Sequence, residues 1–159
     1  MSCLAHLPLA WLRSGLHYAT TAVAAKIVAA GFEIGIFMQD LRIALVTGAS
    51  KGIGAAIAKE LAAAGFHIWL NYRSDHQAAE SVAAAISSSG GSCTLLPFDV
   101  ADPGATAACL EPLLEKQVPA VLVNNAGFAR DGILALMSQS DWDNVLGVHL
   151  GGFFNVTRP

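Results

Sequence analysis

From Ile43 onward the chain repeats one arrangement of apolar and polar positions: a short apolar run, a polar or glycine-rich break, then residues spaced for a helix. Apolar runs of four to eight residues without alternation read as strands buried on both faces. The first runs from Ile43 to Val46. A helix is predicted after it from about Gly52 to Ala64, with Ile53, Ile57, Ala58 and Leu61 at helical spacing and Gly65 as its stop. The small side chains of Ala55, Ala56, Ala58, Ala62 and Ala63 let that helix lie close on a sheet. His67 to Asn71 is the second strand, and His67 reads as a strand-edge or surface residue rather than a ligand. Ser74 is predicted to begin a second helix, because Gln77 three residues later completes a capping-box pattern, and the helix ends within Ser87 to Gly91. Thr94 to Phe98 is the third strand and runs into Asp99. Asp102 as N-cap and Pro103 in the first turn open a third helix, which Pro112 is placed to kink or split. Ala120 to Val123 is the fourth strand, followed by Asn124 to Gly127, a loop, and a last helix from about Ser140 to Thr157.

Strands alternating with helices at this spacing predict an α/β fold, a Rossmann-like doubly wound parallel sheet with right-handed crossovers, of which strands one to four are present. Ligands of such sheets sit at the carboxyl ends of the strands. Those ends carry Thr47 to Gly54 (TGASKGIG), Asn71 to Arg73, Asp99, and Asn124 to Gly127, which places all four on one rim. An apolar run, a glycine turn and a helix in that order aim a helix N-terminus at a phosphate, whose charge free N–H groups and the helix dipole stabilise. The spacing Gly48, Gly52, Gly54 departs from G-x-G-x-x-G, so a helix cap without a ligand is the competing reading of the turn taken alone.

Residues 1 to 37 follow a different pattern, apolar and alanine-rich with Arg13, Lys26 and Glu33 breaking the run. Ser14 to Ala25, the longest uncharged internal stretch, is shorter than the roughly 20 apolar residues that span a bilayer. No Lys or Arg precedes the first apolar run, which argues against a signal peptide. Met38 lies just before the first strand, and two origins stay open: upstream sequence translated from an early start, or a native helical extension. The domain organisation is thus an extension over 1–37 and the N-terminal part of a dinucleotide-binding domain over 38–159. Within 159 residues, 54% hydrophobic and 13% charged side chains suffice for a sizeable core. A net charge of -3 leaves no basic patch for a nucleic-acid partner. Cys3, Cys93 and Cys109 are odd in number and widely spaced, which fits free thiols in a reducing, cytoplasmic compartment. Neither they nor the five histidines show metal-ligand spacing, so no metal is expected.

In order and at proper separations, these motifs resemble those of the short-chain dehydrogenases/reductases over about Met38 to Pro159. TGASKGIG resembles that family's T-G-x-x-x-G-x-G cofactor loop, Phe98-Asp99-Val100 its adenine-contacting Asp after strand three, and Asn124-Asn125-Ala126-Gly127 its strand-four motif. The stretch NNAGFARDGILALMS is similar to the β-ketoacyl carrier-protein reductases of fatty-acid synthesis and the related acetoacetyl-CoA reductases. The resemblance implies hydride transfer from a nicotinamide to C3 of a 3-oxoacyl thioester on acyl carrier protein or CoA. It also implies a homotetramer, formed through the last helix here and a further one. Close helix packing of that kind is one reading of Gly147, Gly151 and Gly152, and a weakened helix is the other.

Within that frame Gly48, Ala49, Ser50 and Lys51 line the turn around the adenosine ribose and pyrophosphate, with Gly52, Ile53 and Gly54 at the helix start. NAD binding wants a carboxylate after strand two, whereas a 2′-phosphate wants a cation. Strand two ends in Asn71, Tyr72, Arg73, so Lys51 and Arg73 favour NADP, Asp75 being assigned to the next helix's first turn. A solvated basic pair is the alternative. Asp99 offers an acceptor to the adenine amino group and Val100 packs on the ring. By resemblance Asn124 braces the sheet, while Asn125, Ala126 and Gly127 border the ribose on the nicotinamide side. Arg130 and Asp131 match the reductases' loop over the site, or are solvated loop charges.

His149 is the main departure, since the family has an asparagine there that helps hold a water in the proton relay. Trp142, Val145, Leu146, His149, Phe153 and Val156 form one inward stripe at helical spacing, which predicts a histidine on a buried face. Relay participation and a satisfied core histidine both stay open. The family's catalytic Ser and Tyr-x-x-x-Lys pair do not occur in these 159 residues, and neither Tyr18 nor Tyr72 has a Lys four positions on. Without a tyrosine acid nothing protonates the alkoxide as hydride arrives, so cofactor binding without catalysis is expected. Strand four, central in the family's sheet order 3-2-1-4-5-6-7, is then expected as an uncovered apolar edge prone to pairing or aggregation. The rival reading is a non-catalytic nucleotide-binding or subunit-pairing protein.

Overall fold

The computed structural model describes residues 42–159, and the expectations for residues 1 to 37 lie outside the described residues. Four strands, β1 (Ile43–Val46), β2 (His67–Tyr72), β3 (Ser92–Pro97) and β4 (Val121–Val123), form one parallel sheet in the order β3-β2-β1-β4. Helices α1 (Gly52–Ala63), α2 (His76–Ser88) and α3 (Pro103–Leu114) make the crossovers. After β4 come a short 3₁₀ turn at Leu134–Leu136, helix α4 (Gln139–Leu146), a π-helical turn (Gly147–Gly151) and helix α5 (Gly152–Thr157).

Alternation within each strand sends side chains to two separate cores. Ala44 and Val46 pair in register with Ile68 and Leu70 and meet Ala55, Ala58 and Ala62 of α1 and Ala79, Val82 and Ile86 of α2. Ile43, Leu45 and Trp69 point the other way, onto Leu110 of α3 and Val156 of α5. Ala55, Ala58 and Ala62 face the sheet as their size predicts, whereas Ala56 and Ala63, expected there too, lie on the exposed side of α1. Ile53 does not join them: it is 74% exposed beside the glycine turn, and Gly54 is the buried residue at that end of the helix. Cys93 packs at the edge of the first core and Cys109 at the edge of the second, so the sheet stands between these two free thiols. Burial raises the pKa of both, which keeps them protonated and weakly nucleophilic.

Several boundaries move for local reasons. The N-cap of α2 is Asp75, whose Oδ1 accepts from Ala78 N at 3.1 Å, so the helix starts at His76 and not at Ser74, and Gln77 closes no capping box. Serine and aspartate are comparable caps, and Asp75 is the one whose side chain reaches the first turn once β2 has run on to Tyr72. Asp102 caps α3 as expected, accepting from Gly104 N and Ala105 N. The helix runs unbroken past Pro112 to Leu114, because a proline in the last turn leaves few of the helix's hydrogen bonds to disturb.

The last helix is not one α-helix. The π turn adds a residue to one turn, so positions before and after it fall out of phase. Val145 and Leu146 are half-buried and Val156 is buried, whereas Trp142, His149 and Phe153 are exposed, which overturns the single inward stripe and the buried setting of His149. Of the three nearby glycines only Gly152 packs closely: a Cβ there would meet Val100 Cγ2 at 2.7 Å, while Gly147 and Gly151 face open space.

Leu70 is fully buried at the centre of the first core. Leu70→Ala is expected to cost about 2–5 kcal/mol, read from the urea midpoint. At the amino end of β2, His67 lies half-buried with its ring nitrogens 2.8 Å from Ser92 Oγ and 2.9 Å from Thr94 Oγ1, and burial lowers its pKa from 6.5. The unfolded chain therefore takes up a proton first, so stability that is complete above pH 6.5 falls as the pH drops below it. A His67→Thr variant should lose less stability than the parent between pH 7 and pH 5, measured by chemical denaturation at each pH.

Candidate functional site

The glycine turn after β1 is fixed by three polar side chains. Thr47, 1% exposed, donates from Oγ1 to Val123 O at 3.3 Å and accepts from the N–H groups of Asn125 and Ala126, both at 3.0 Å. That exhausts the bonding capacity of a hydroxyl. Asn125 Nδ2 returns two bonds, to Thr47 O at 2.9 Å and Gly48 O at 3.2 Å. From the other side Asn71, buried, accepts from Gly48 N at 3.2 Å and donates to Leu96 O and Phe98 O at 3.1 and 2.9 Å. One turn is thus tied to the carboxyl ends of the other three strands.

This close fit dictates the glycines. Gly48 has φ +62°, and a Cβ on it would lie 2.9 Å from Ala126 Cα; a Cβ on Gly54 would lie 2.5 Å from both Asn125 Nδ2 and Gly48 O. Gly52, with φ +58°, has no atom within 4 Å of its Cβ position, so the outer side of the turn is open at the start of α1. The N-cap of α1, Lys51, is extended and makes no side-chain cap bond, and no acidic residue occupies the first turn. The first N–H groups of α1 therefore meet the open side of the turn without a carboxylate cap. Ala49 is fully buried and shapes the turn from inside, its N–H donating to Asn71 O at 2.8 Å, while Ser50 is half-buried.

Lys51 and Arg73 are both exposed on this rim, and neither forms an ion pair among the described residues. Asp99 is half-buried, with Oδ1 accepting from Ala101 N at 2.9 Å. Val100 is buried with Phe98, Leu110 and Val156, and its carbonyl accepts from Asn155 Nδ2 at 2.9 Å. Asn124 does not brace the strands as the resemblance implied: it is exposed, and its Nδ2 reaches Thr157 Oγ1 of α5 at 3.3 Å. The bracing falls to Asn125 and Thr47.

A cleft of about 260 Å³ continues from this rim, bounded by Thr47, Val100, Asn124, Ala126, His149 and Phe153 among others. His149, exposed on the π turn, brings Nε2 to 3.3 Å from Phe128 N and 3.0 Å from Phe128 O, so the tautomer decides whether it accepts or donates. It is a satisfied histidine, and its partner is loop backbone and not a core group. Its ring also fills the space beside Gly127, where a Cβ would lie 2.5 Å from Cε1. Arg130 pairs with Asp141 of α4 at 3.2 Å, tying down the loop, and Asp131 is exposed. A second opening of about 230 Å³, beside Ile43, His67 and Lys116, lies at the amino ends of the strands and shares none of these residues. Tyr72 is buried in the first core and bonded to His76 Nδ1, away from the cleft.

Thr47 and Asn71 were not singled out by sequence as site residues. Their signal is a polar residue at the end of an otherwise apolar run, where a strand ladder stops and backbone groups need other partners.

The family model described as short chain dehydrogenase matches residues 42–159. The 3-oxoacyl-[acyl-carrier-protein] reductase FabG of Staphylococcus aureus is 38% identical over 119 residues, covering 74% of this chain and 48% of the relative. The acetoacetyl-CoA reductase of Paracoccus denitrificans is 42% identical, covering 74% and 47%. Among solved structures, a metagenomic short-chain oxidoreductase in complex with NADP superposes with a TM-score of 0.70 at 35% identity, covering 74% of this chain and 53% of that one. A short chain dehydrogenase from Burkholderia cenocepacia in complex with NADP gives 0.67 at 37% identity, covering 72% and 47%. The chain spans about half the length of the curated relatives it matches.

Thr47→Val keeps the shape of the side chain and removes the acceptor of two amides. The expected loss is about 1–3 kcal/mol of stability, measured by urea denaturation, with the larger part from leaving the Asn125 and Ala126 N–H groups unpaired.

Proposed function

The chain belongs to the short-chain dehydrogenase family, and on that premise we propose that it carries the cofactor half of an NADP-dependent reductase of 3-oxoacyl thioesters on acyl carrier protein or CoA. The observation that carries this reading is the pinned glycine turn, open on its outer side at Gly52 and flanked by Lys51 and Arg73, which form no ion pair among the described residues. NADPH, when bound, supplies the hydride that reduces the C3 carbonyl to an alcohol.

The chain's own residues have distinct tasks in this reading. Gly48, Ser50, Lys51, Gly52, Ile53 and Gly54 present the amino end of α1 to the diphosphate, where backbone N–H groups and the helix dipole favour negative charge. Lys51 and Arg73 take the 2′-phosphate. Asp99 accepts from the adenine amino group, with Val100 contributing to the wall behind it. Asn125, Ala126 and Gly127 border the nicotinamide ribose. His149, with Nε2 engaged by Phe128, leaves Nδ1 for a relay water in the cleft. The names of the S. aureus and P. denitrificans relatives support the substrate class, and the NADP-bound neighbours support the cofactor.

The same reading assigns the whole protein to the cytoplasm as a homotetramer. Among the described residues no helix is long and apolar enough to cross a membrane. The 159 residues contain no Tyr-x-x-x-Lys, so this polypeptide taken alone is proposed to bind cofactor without turnover.

Titration of the chain with NADPH and with NADH, followed by tryptophan fluorescence, tests both parts. Saturable binding is expected, with NADPH preferred about tenfold or more and Arg73→Ala abolishing most of that preference, as loss of a charge-assisted hydrogen bond would do. Equal affinities overturn the NADP assignment, and absence of binding overturns the cofactor reading. Acetoacetyl-CoA added to the NADPH complex should leave its absorbance unchanged; oxidation would overturn the proposed lack of turnover.

A further inference from the structure

Beyond Pro97, where β3 ends, three successive carbonyls are each taken by a side chain from a different element. Asn71 of β2 donates to Phe98 O at 2.9 Å, Thr106 of α3 donates to Asp99 O at 3.4 Å, and Asn155 of α5 donates from Nδ2 to Val100 O at 2.9 Å. The third tether is the distant one: Asn155 lies 55 positions after Val100, and this is the sole hydrogen bond of its side chain among the described residues. Helix α5 is drawn against the loop at that point, since a Cβ on Gly152 would lie 2.7 Å from Val100 Cγ2, and Val156 packs in the same core as Val100.

The carbonyl that Asn155 holds belongs to the same peptide unit as the Ala101 N–H, and that N–H donates to Asp99 Oδ1 at 2.9 Å. The unit is planar and trans, so fixing its oxygen fixes the direction of its N–H. A hydrogen bond at the oxygen also polarises the unit and strengthens the bond that its N–H makes. The Asp99 carboxylate is thereby set from α5, and its Oδ2 is left without a partner among the described residues. We propose that Asn155 is a positioning residue of the adenine subsite: it orients the Val100–Ala101 peptide, which holds Asp99 in the attitude that accepts from the adenine amino group. This rests on the cofactor reading above, in which Asp99 has that task. Asn155 touches no part of the cofactor in this assignment and acts through Asp99. The helix that follows the π turn of His149 thus contributes to recognition of the base, away from the nicotinamide side of the site.

The test is calorimetric titration of the 159-residue chain with NADP⁺, with NAD⁺ and with the deamino analogue of NADP⁺, whose hypoxanthine carries a carbonyl acceptor in place of the amino donor. The parent, Asn155→Leu, Asp99→Ala and the double variant are compared. Asn155→Asp, which keeps the side chain's shape and when ionised has no donor, runs beside Asn155→Leu so that either folded protein gives the answer. The parent is expected to prefer NADP⁺ to the deamino analogue about tenfold, as a hydrogen bond to a carboxylate would give, and Asn155→Leu to lose about three- to fivefold of that preference. Preference for NADP⁺ over NAD⁺ should stay as in the parent, because Lys51 and Arg73 follow β1 and β2 and not β3. In the Asp99→Ala background Asn155→Leu should alter base preference no further, the signature of a residue that acts through the one already removed. An unchanged base preference in Asn155→Leu, whether or not affinity for all three dinucleotides falls together, overturns the proposal, and so does a further loss in the double variant. A parent that prefers NADP⁺ to NAD⁺ yet ignores the base also overturns it while leaving the NADP assignment standing. A parent that binds none of the three overturns both.

Discussion

The hydroxyl of Thr47 is the constraint on which the rim depends. Strand ladders end at Val46 and Val123, and beyond them the backbone of two neighbouring loops would be left to water or to chance partners. Thr47 Oγ1 collects the N–H groups of Asn125 and Ala126 in the β4 loop, and Asn125 sends its amide back to the two carbonyls that start the β1 turn. These reciprocal bonds extend the sheet by side chains where main-chain pairing stops. They also bring Gly48 so near Ala126 that only a residue without a β-carbon fits. The glycine turn is therefore held in shape before any ligand arrives, so little conformational entropy remains to be lost on binding.

Asn71 does the same from the opposite side, and its cost shows why the surrounding packing matters. A fully buried amide is tolerated only with its partners in place, and Asn71 has three: one N–H from the turn and two carbonyls from the β3 side. Those partners are fixed by the parallel register that pairs Asn71 with Leu96, which depends in turn on Ile68, Leu70 and Leu95 filling one face and Trp69 and Leu96 the other. Packing sets the register, the register sets the polar bonds, and the polar bonds set the turn.

Much of this was legible in the sequence because it rests on periodicity and on residue types with one dominant use. Short apolar runs ending in glycine or polar residues, alternating with helices, indicated four strands in a parallel sheet, the family resemblance supplied their order, and Asp102-Pro103 marked the start of α3. What periodicity could not carry was the stretch from Ser138 to Thr157. A constant 3.6-residue spacing placed His149 on a buried face, but the π turn changes the phase at that point, and nothing in the pattern of Gly147, His149 and Gly151 distinguishes a widened turn from a weak α-turn. The cap of α2 was misplaced by one residue for a similar reason: Ser74 and Asp75 are both good caps, and the choice is made by where β2 ends. Asn124 and Asn125 are chemically identical, so only the direction in which the chain leaves β4 decides which amide reaches Thr47 and which faces α5.

The departure of the glycine spacing from G-x-G-x-x-G follows from the same contacts. Gly54 meets the Asn125 amide and the Gly48 carbonyl, so the absence of its β-carbon serves packing within the protein. Gly52 meets nothing, and its positive φ serves the path of the chain around an open space. Open space and close approach to the neighbouring loop thus fall on different glycines. A turn that must receive Asn125 from the β4 side needs its third glycine on the helix's inner face, two residues after the one that bends the chain. On this account the Thr47–Asn125 strap and the T-G-x-x-x-G-x-G spacing are one structural feature seen at two points in the sequence. Substituting either without the other removes the reason for both.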